Sequence, residues 1–472
     1  MKDYIALKEV KTDLNSGAIT CVQLVEQYIQ KIQENNHLNA FLEVFNDSAL
    51  EKAKEVDQKL SVGTAGKLAG AVIGLKDNIC YKGHKVSASS KILEGFESVF
   101  SSTVTERLLQ EDAIIIGRLN CDEFAMGSSN ENSAYGKVLN AANNEYVPGG
   151  SSGGSAVAVQ AGLCLASFGS ETGGSVRQPA SFCGLVGVKP TYGRISRHGL
   201  IAFASSFDQI SPFTRTVEDA ALLMEVVSGA DDFDSTASQK EVGAYAASLD
   251  DRTPKKIGYI KQCLENDGLD PEIKDHMIKL IEDLKAKGHT VEPVEFPYIE
   301  YMVPTYYVLT TAEASANLSR FDGIHYGHRS ELASDVESTY VLSRSEGFGA
   351  EVQRRIMLGT FVLSAGFYDA YYTKAQKIRR VLKNKTKEIF KEHDFILTPT
   401  CPSTAFKHGA VSDPIQMYLQ DIFTVQANLT GVPAVSIPRG THSNGLPFGV
   451  QIMADEFQEG PMLAFAASIS QN

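Results

Sequence analysis

Apolar positions along the chain follow two rhythms. Near the N-terminus, Val25, Tyr28, Ile29 and Ile32 recur at helical spacing behind Thr20-Cys21-Val22-Gln23. That spacing lines one helix face, and the Thr-x-x-Gln start is a capping box. A second helix is expected from a cap at Asp47 or Ser48 to Leu60. From Leu68 the rhythm changes. Leu68–Leu75 is a nearly all-apolar run ending at Lys76-Asp77-Asn78, and it reads as a buried strand. A helix over Thr105–Gln110 leads into another such strand, Ala113–Gly117. Lys256–Ile260 (strand), Glu272–Lys287 (helix, ended by Gly288) and Thr290–Phe296 (strand) make a βαβ unit. Phe395–Leu397, Ala434–Ile437 and Phe448–Met453 supply more strands. Buried strands alternating with helices predict an α/β fold.

Composition narrows the function classes. The 472 residues are 43% hydrophobic and 21% charged, enough apolar material for a large core. The formal charge is -13, from 57 acidic residues against 44 Lys and Arg. That balance argues against direct binding of a nucleic-acid backbone, which needs clustered cations. The seven cysteines are odd in number and form no CxxC pair, so reduced thiols in a cytoplasmic protein are expected. No metal-site spacing stands out. The opening MKDYIALKEV is polar, without the apolar stretch of a secretion signal, and no run approaches the ~20 apolar residues that span a bilayer.

Two glycine-rich clusters carry the candidate chemistry. Gly149-Gly150-Ser151-Ser152-Gly153-Gly154-Ser155 matches the G-x-S-x-G pattern of a nucleophile elbow. The plain alternative is a turn before a helix over Ser155–Ala161, and a phosphate cradle would need a G-x-x-x-x-G-K-[ST] that the chain lacks. The second cluster, Gly169-Ser170-Glu171-Thr172-Gly173-Gly174-Ser175, places a serine after a turn able to aim several N–H groups into one concavity. Serine needs a base. None of the ten histidines stands in a triad pattern, whereas Lys76 closes an apolar strand, where burial favours the neutral amine.

Together these pieces resemble the amidase-signature family. The two serines stand 24 positions apart, as its pattern requires. The resemblance implies the amidase-signature fold, a central mixed, mostly parallel sheet covered by helices on both faces. It also implies one large domain over 1–472: an N-terminal helical segment (1–60), a core bearing the triad (61–230) and a remainder carrying specificity residues (231–472). It makes Ser175 the nucleophile, Ser151 the proton relay on a cis peptide, Lys76 the base, and the N–H groups of Thr172, Gly173, Gly174 and Ser175 the oxyanion hole.

Four further segments are similar to the glutaminase subunits of bacterial tRNA-dependent amidotransferases: CDEFAMGSSNENSAYG, EASANLSRFDGIHYGHR, EVQRRIMLGTFVLSAGFYDAYY and MYLQDIFTVQANLTGVPAVSIP. That likeness implies glutamine as substrate. Arg355 (or its neighbour Arg354) would bind the α-carboxylate, Asp421 the α-ammonium, and Tyr306, Met126, Gly127 and Ser128 would line the pocket. It further implies a cytoplasmic heterotrimer with B and C subunits. The ammonia would go to a partner that amidates Glu-tRNA(Gln) or Asp-tRNA(Asn), mischarged tRNA being held mainly by the B subunit. ATP and Mg belong to that partner, and this chain needs no cofactor or metal. A free-standing amidase of another small amide is the alternative. The chain stops at Gln471-Asn472, in the expected final helix, a little earlier than the resemblance suggests.

Overall fold

The apolar runs assemble into one eleven-stranded sheet. The computed structural model describes residues 2–470, so Gln471 and Asn472 lie outside the described residues. The strands are β1 (Phe41–Val44), β2 (Val72–Lys76), β3 (Ile114–Leu119), β4 (Ala166–Glu171), β5 (Val186–Lys189), β6 (Gln209–Thr214), β7 (Lys256–Ile260), β8 (Thr290–Val294), β9 (Phe395–Pro399), β10 (Ala434–Thr441) and β11 (Pro447–Ala454). They lie in the order β1-β3-β2-β4-β6-β5-β10-β11-β9-β7-β8.

The mixed sheet expected from the sequence is present. Its parallel pairs form two blocks, β3-β2-β4 and β9-β7-β8. The other neighbours are antiparallel, six pairs against four, more than a mostly parallel sheet would have. Every residue of β2, β4, β5, β6 and β9 is buried, so layers of other structure cover both faces. Apolar side chains from Tyr4 to Ile469 join in one core, with a small satellite at Val147, Phe182, Cys401, Ala405 and Leu446.

Two of the local expectations hold closely. Helix Cys21–Glu34 starts on the Thr20/Gln23 capping box, and β7, helix Pro271–Ala286 and β8 form the parallel βαβ unit. Several boundaries move: the helix expected from a cap at Asp47 or Ser48 starts at Asn46 after Phe45 with no capping side chain, the helix expected over Ser155–Ala161 spans Gly153–Gln160, β8 ends at Val294, and β2 begins at Val72, not Leu68. Gly70 takes a positive φ and packs against Leu14 and Val10, which turns the chain just before the strand. The seven cysteines are free and buried. Among the described residues no helix is long and apolar enough to cross a membrane.

Candidate active site

Parallel pairing decides where the chemistry gathers. β2, β3 and β4 run the same way, so their C-terminal ends open on one edge, the usual ligand edge of an open α/β sheet. Lys76 closes β2, the segment from Asn120 follows β3, and Thr172–Ser175 follows β4. The turn before helix Gly153–Gln160 touches all three. Ser151 Oγ is hydrogen-bonded to Lys76 Nζ (2.7 Å), the Ser151 carbonyl accepts from Asp122 N (3.0 Å), and Ser152 N donates to the Ser175 carbonyl (3.3 Å).

Lys76 is fully buried, and desolvation brings its amine down to about 8. Its neighbour Asp77 turns away, as alternation along a strand demands, and pairs with Arg118 at 2.9 Å. The amine meets three oxygens: Ser151 Oγ, Ser152 Oγ (2.9 Å) and the Ser170 carbonyl (3.4 Å). Ser152 was not singled out in the sequence, yet it orients the site. Its own proton goes to the Ser170 carbonyl (3.0 Å), so it can only accept from Lys76. A neutral Lys76 therefore spends its donors on Ser152 and Ser170 and leaves its lone pair for the Ser151 hydroxyl.

The Gly150–Ser151 peptide is cis. Gly150 must lack a side chain, because a Cβ there would strike the Asp122 carboxylate and come within 2.7 Å of Ser129 N. Asp122, also missed in the sequence, holds the next loop by accepting from Asn130 N (2.9 Å) and Asn132 N (3.0 Å). Burial pushes its carboxyl up to about 6.

Ser175 sits 7% exposed at the lip of the second turn. Among the described residues its hydroxyl has no hydrogen-bond partner, and the N–H groups of Thr172, Gly173, Gly174 and Ser175 have no acceptor. They are free to receive an oxyanion. The turn is braced from below by Glu171, which accepts from Val176 N and Arg177 N (3.2 Å each) and pairs with the buried Arg177 guanidinium.

Of the predicted specificity residues, Tyr306 and Asp421 pack on the same turn. A Cβ on Gly173 would lie 2.6 Å from the Tyr306 ring, and one on Gly174 would lie 3.1 Å from Asp421 Oδ1. Tyr306 also shares a 2.8 Å hydrogen bond with Thr172 Oγ1. Ser128 Oγ donates to Asp421 (3.0 Å), whose carboxyl burial pushes up to about 7. Gly127 packs on Asp122, and Met126 is buried in the core. Of the two arginines, Arg355 is the buried one: it donates to Glu351 (2.8 Å) and lies 5.2 Å from Tyr307, 5.5 Å from Tyr418 and 5.7 Å from Phe203. The Arg354 side chain is 49% exposed and pairs only with Glu351. Tyr306 and Asp421 thus flank the nucleophile turn, and Arg355 stands buried among aromatic rings with its charge acting on Asp421.

The amidase family profile matches residues 23–463. The chain belongs to the amidase family. It is 49% identical over 467 residues to the A subunit of glutamyl-tRNA(Gln) amidotransferase from Chlorobium luteolum, covering 98% of this chain and 96% of that one. The corresponding Chlorobium phaeobacteroides protein is 48% identical, with 98% of both chains covered. Of solved amidase-fold structures, the A subunit of the Thermotoga maritima glutamyl-tRNA(Gln) amidotransferase superposes with a TM-score of 0.77 at 39% identity, covering 94% of this chain and 93% of that one. The peptide amidase of Stenotrophomonas maltophilia gives 0.81 at 28% identity, covering 98% and 95%. The peptide amidase thus shares the scaffold, while sequence likeness is greater to the amidotransferase proteins.

Proposed function

We propose that this chain is the glutaminase subunit of a tRNA-dependent amidotransferase. The observation that carries the reading is buried Asp421 set against the Ser175 turn, near enough to buried Arg355 for the guanidinium charge to favour its ionised form. A free amino acid brings one carboxylate and one ammonium, and Arg355 and Asp421 offer one counter-charge for each. The extent of identity with amidotransferase A subunits supports it. Ser175 Oγ attacks the side-chain amide carbon of glutamine, passing its proton to Ser151, which passes its own to Lys76. The N–H groups of residues 172–175 hold the oxyanion. Lys76 then returns a proton through Ser151 to the departing ammonia, and water frees glutamate from the Ser175 ester by the same relay. The ammonia serves a partner subunit within a cytoplasmic heterotrimer, where ATP, Mg and the mischarged tRNA are held.

The test compares the lone chain with the assembled enzyme. The lone chain should be a weak glutaminase. Partner subunits, ATP and Glu-tRNA(Gln) should raise its turnover, with the released nitrogen recovered in Gln-tRNA(Gln). Full activity of the lone chain on simple amides, unchanged by partners, would instead make it a free-standing amidase.

Specificity gives a second measurement. Arg355→Ala and Asp421→Ala each leave a substrate charge unpaired at a buried position. Each should raise KM for glutamine about 10- to 100-fold, the equivalent of one lost charged hydrogen-bond partner. Wild-type KM in both variants would rule out glutamine recognition by this pair.

A further inference from the structure

Glu123 joins the catalytic loops to the helix that carries Arg355. Its neighbour Asp122 lies against Gly150 and donates its N–H to the Ser151 carbonyl (3.0 Å). Glu123 points the other way. It is 3% exposed, and its Oε2 accepts from Gly349 N at 2.8 Å. Gly349 is the N-cap of helix Ala350–Leu363, which has no capping side chain of its own. Glu123 therefore supplies that helix with the N-terminal acceptor it lacks. The fit is close: a Cβ on Gly349 would lie 2.5 Å from Glu123 Oε2. The other carboxylate oxygen accepts from Ser90 Oγ. The next residue, Phe124, packs its ring 5.0 Å from Phe321 and 5.7 Å from Phe348, so two successive side chains grip the start of the helix. The first two turns of that helix hold Glu351 and Arg355, bonded to each other. Glu123 and Glu351 also line a common cavity of about 400 Å³.

We infer that Glu123 is a positioning residue for substrate recognition: it docks helix Ala350–Leu363 on the catalytic loops and so sets where Arg355 stands relative to Ser175. The inference rests on the glutamine reading given above. Because the contact is made by hydrogen-bond geometry, an amide oxygen can replace the carboxylate oxygen as acceptor for Gly349 N–H.

The test is made in the assembled enzyme with glutamine and with propionamide, which lacks the α-carboxylate. Glu123→Ala should raise KM for glutamine about tenfold with kcat nearly unchanged, the mark of lost uniform binding, and should leave propionamide hydrolysis as it was. Glu123→Gln should restore KM to within about threefold of wild type. An unchanged KM for glutamine in Glu123→Ala, or an equal loss of kcat on both substrates, overturns the inference. If Glu123→Ala does not fold, Ser90→Ala takes its place, with a KM rise of about threefold expected and no rise overturning the inference. A wild-type enzyme that releases no ammonia from glutamine but hydrolyses propionamide removes the underlying reading and this inference with it, whereas glutaminase activity with unmoved variants removes this inference alone.

Discussion

Ser175→Ala is expected to abolish ammonia release from glutamine while leaving the thermal unfolding of the protein unchanged. The two halves of that result have separate physical causes. The hydroxyl is the group placed to attack, on the same turn as the free N–H groups of Thr172–Ser175. Removing a nucleophile that acts as one unit with its base costs on the order of 10⁴-fold or more in kcat. The fold loses nothing, because the Ser175 hydroxyl has no hydrogen-bond partner among the described residues, and its carbonyl still accepts from Ser152 N. Ser151→Ala is a different lesion. It breaks the path from Ser175 to Lys76 and leaves the attacking oxygen in place. A fluorophosphonate should therefore still be able to label Ser175 in Ser151→Ala, slowly, and should label nothing in Ser175→Ala. Tandem mass spectrometry of the labelled protein reads this directly. Turnover retained in Ser175→Ala, with the label on Ser151, would restore the nucleophile-elbow reading of the first glycine cluster.

Much of the fold could be read in advance, for reasons that differ between elements. Helix Cys21–Glu34 and the unit β7–helix–β8 announce themselves by capping residues and clean periodicity, which are local signals. β4 does not. Its sequence, Ala-Ser-Phe-Gly-Ser-Glu, is poor in strand-forming residues, and it is held as a strand by neighbours β2 and β6, distant in sequence. The site divides in the same way. Lys76, Ser151 and Ser175 stand in conspicuous turns. Asp122, Ser152, Glu123 and Glu351 do not, because their work is to bond backbone or side chains that only tertiary folding brings near. An acidic pair in a loop carries no mark that one carboxylate will back the Gly150 turn and the other will cap a helix more than two hundred residues away. The choice between Arg354 and Arg355 is likewise invisible in the sequence, since helical rotation alone decides which one faces the core.

Lys76→Arg is expected to be as inactive as Lys76→Met, with losses on the order of 10²- to 10⁴-fold, the range general-base catalysis supplies. Charge and length are nearly kept in the arginine variant. What is lost is the ability to become neutral, since guanidinium does not deprotonate in a protein. The wild-type pH profile should carry the same message. The base works only when unprotonated, and burial has brought Lys76 down to about 8, so activity must rise with pH through that value. Asp421 complicates the lower part of the curve. Its carboxyl is pushed up to about 7 and must be ionised to hold the substrate ammonium, so kcat/KM should climb on two successive steps. Once glutamine is bound, its ammonium keeps Asp421 ionised, and the profile of kcat should retain the lysine step alone. Asp421→Asn should then remove the lower step from kcat/KM and leave the kcat step in place. Substantial activity in Lys76→Arg, or a kcat flat across pH 6–10 at a rate limited by chemistry, would show that Lys76 is a structural charge and that the proton leaves Ser151 by another route.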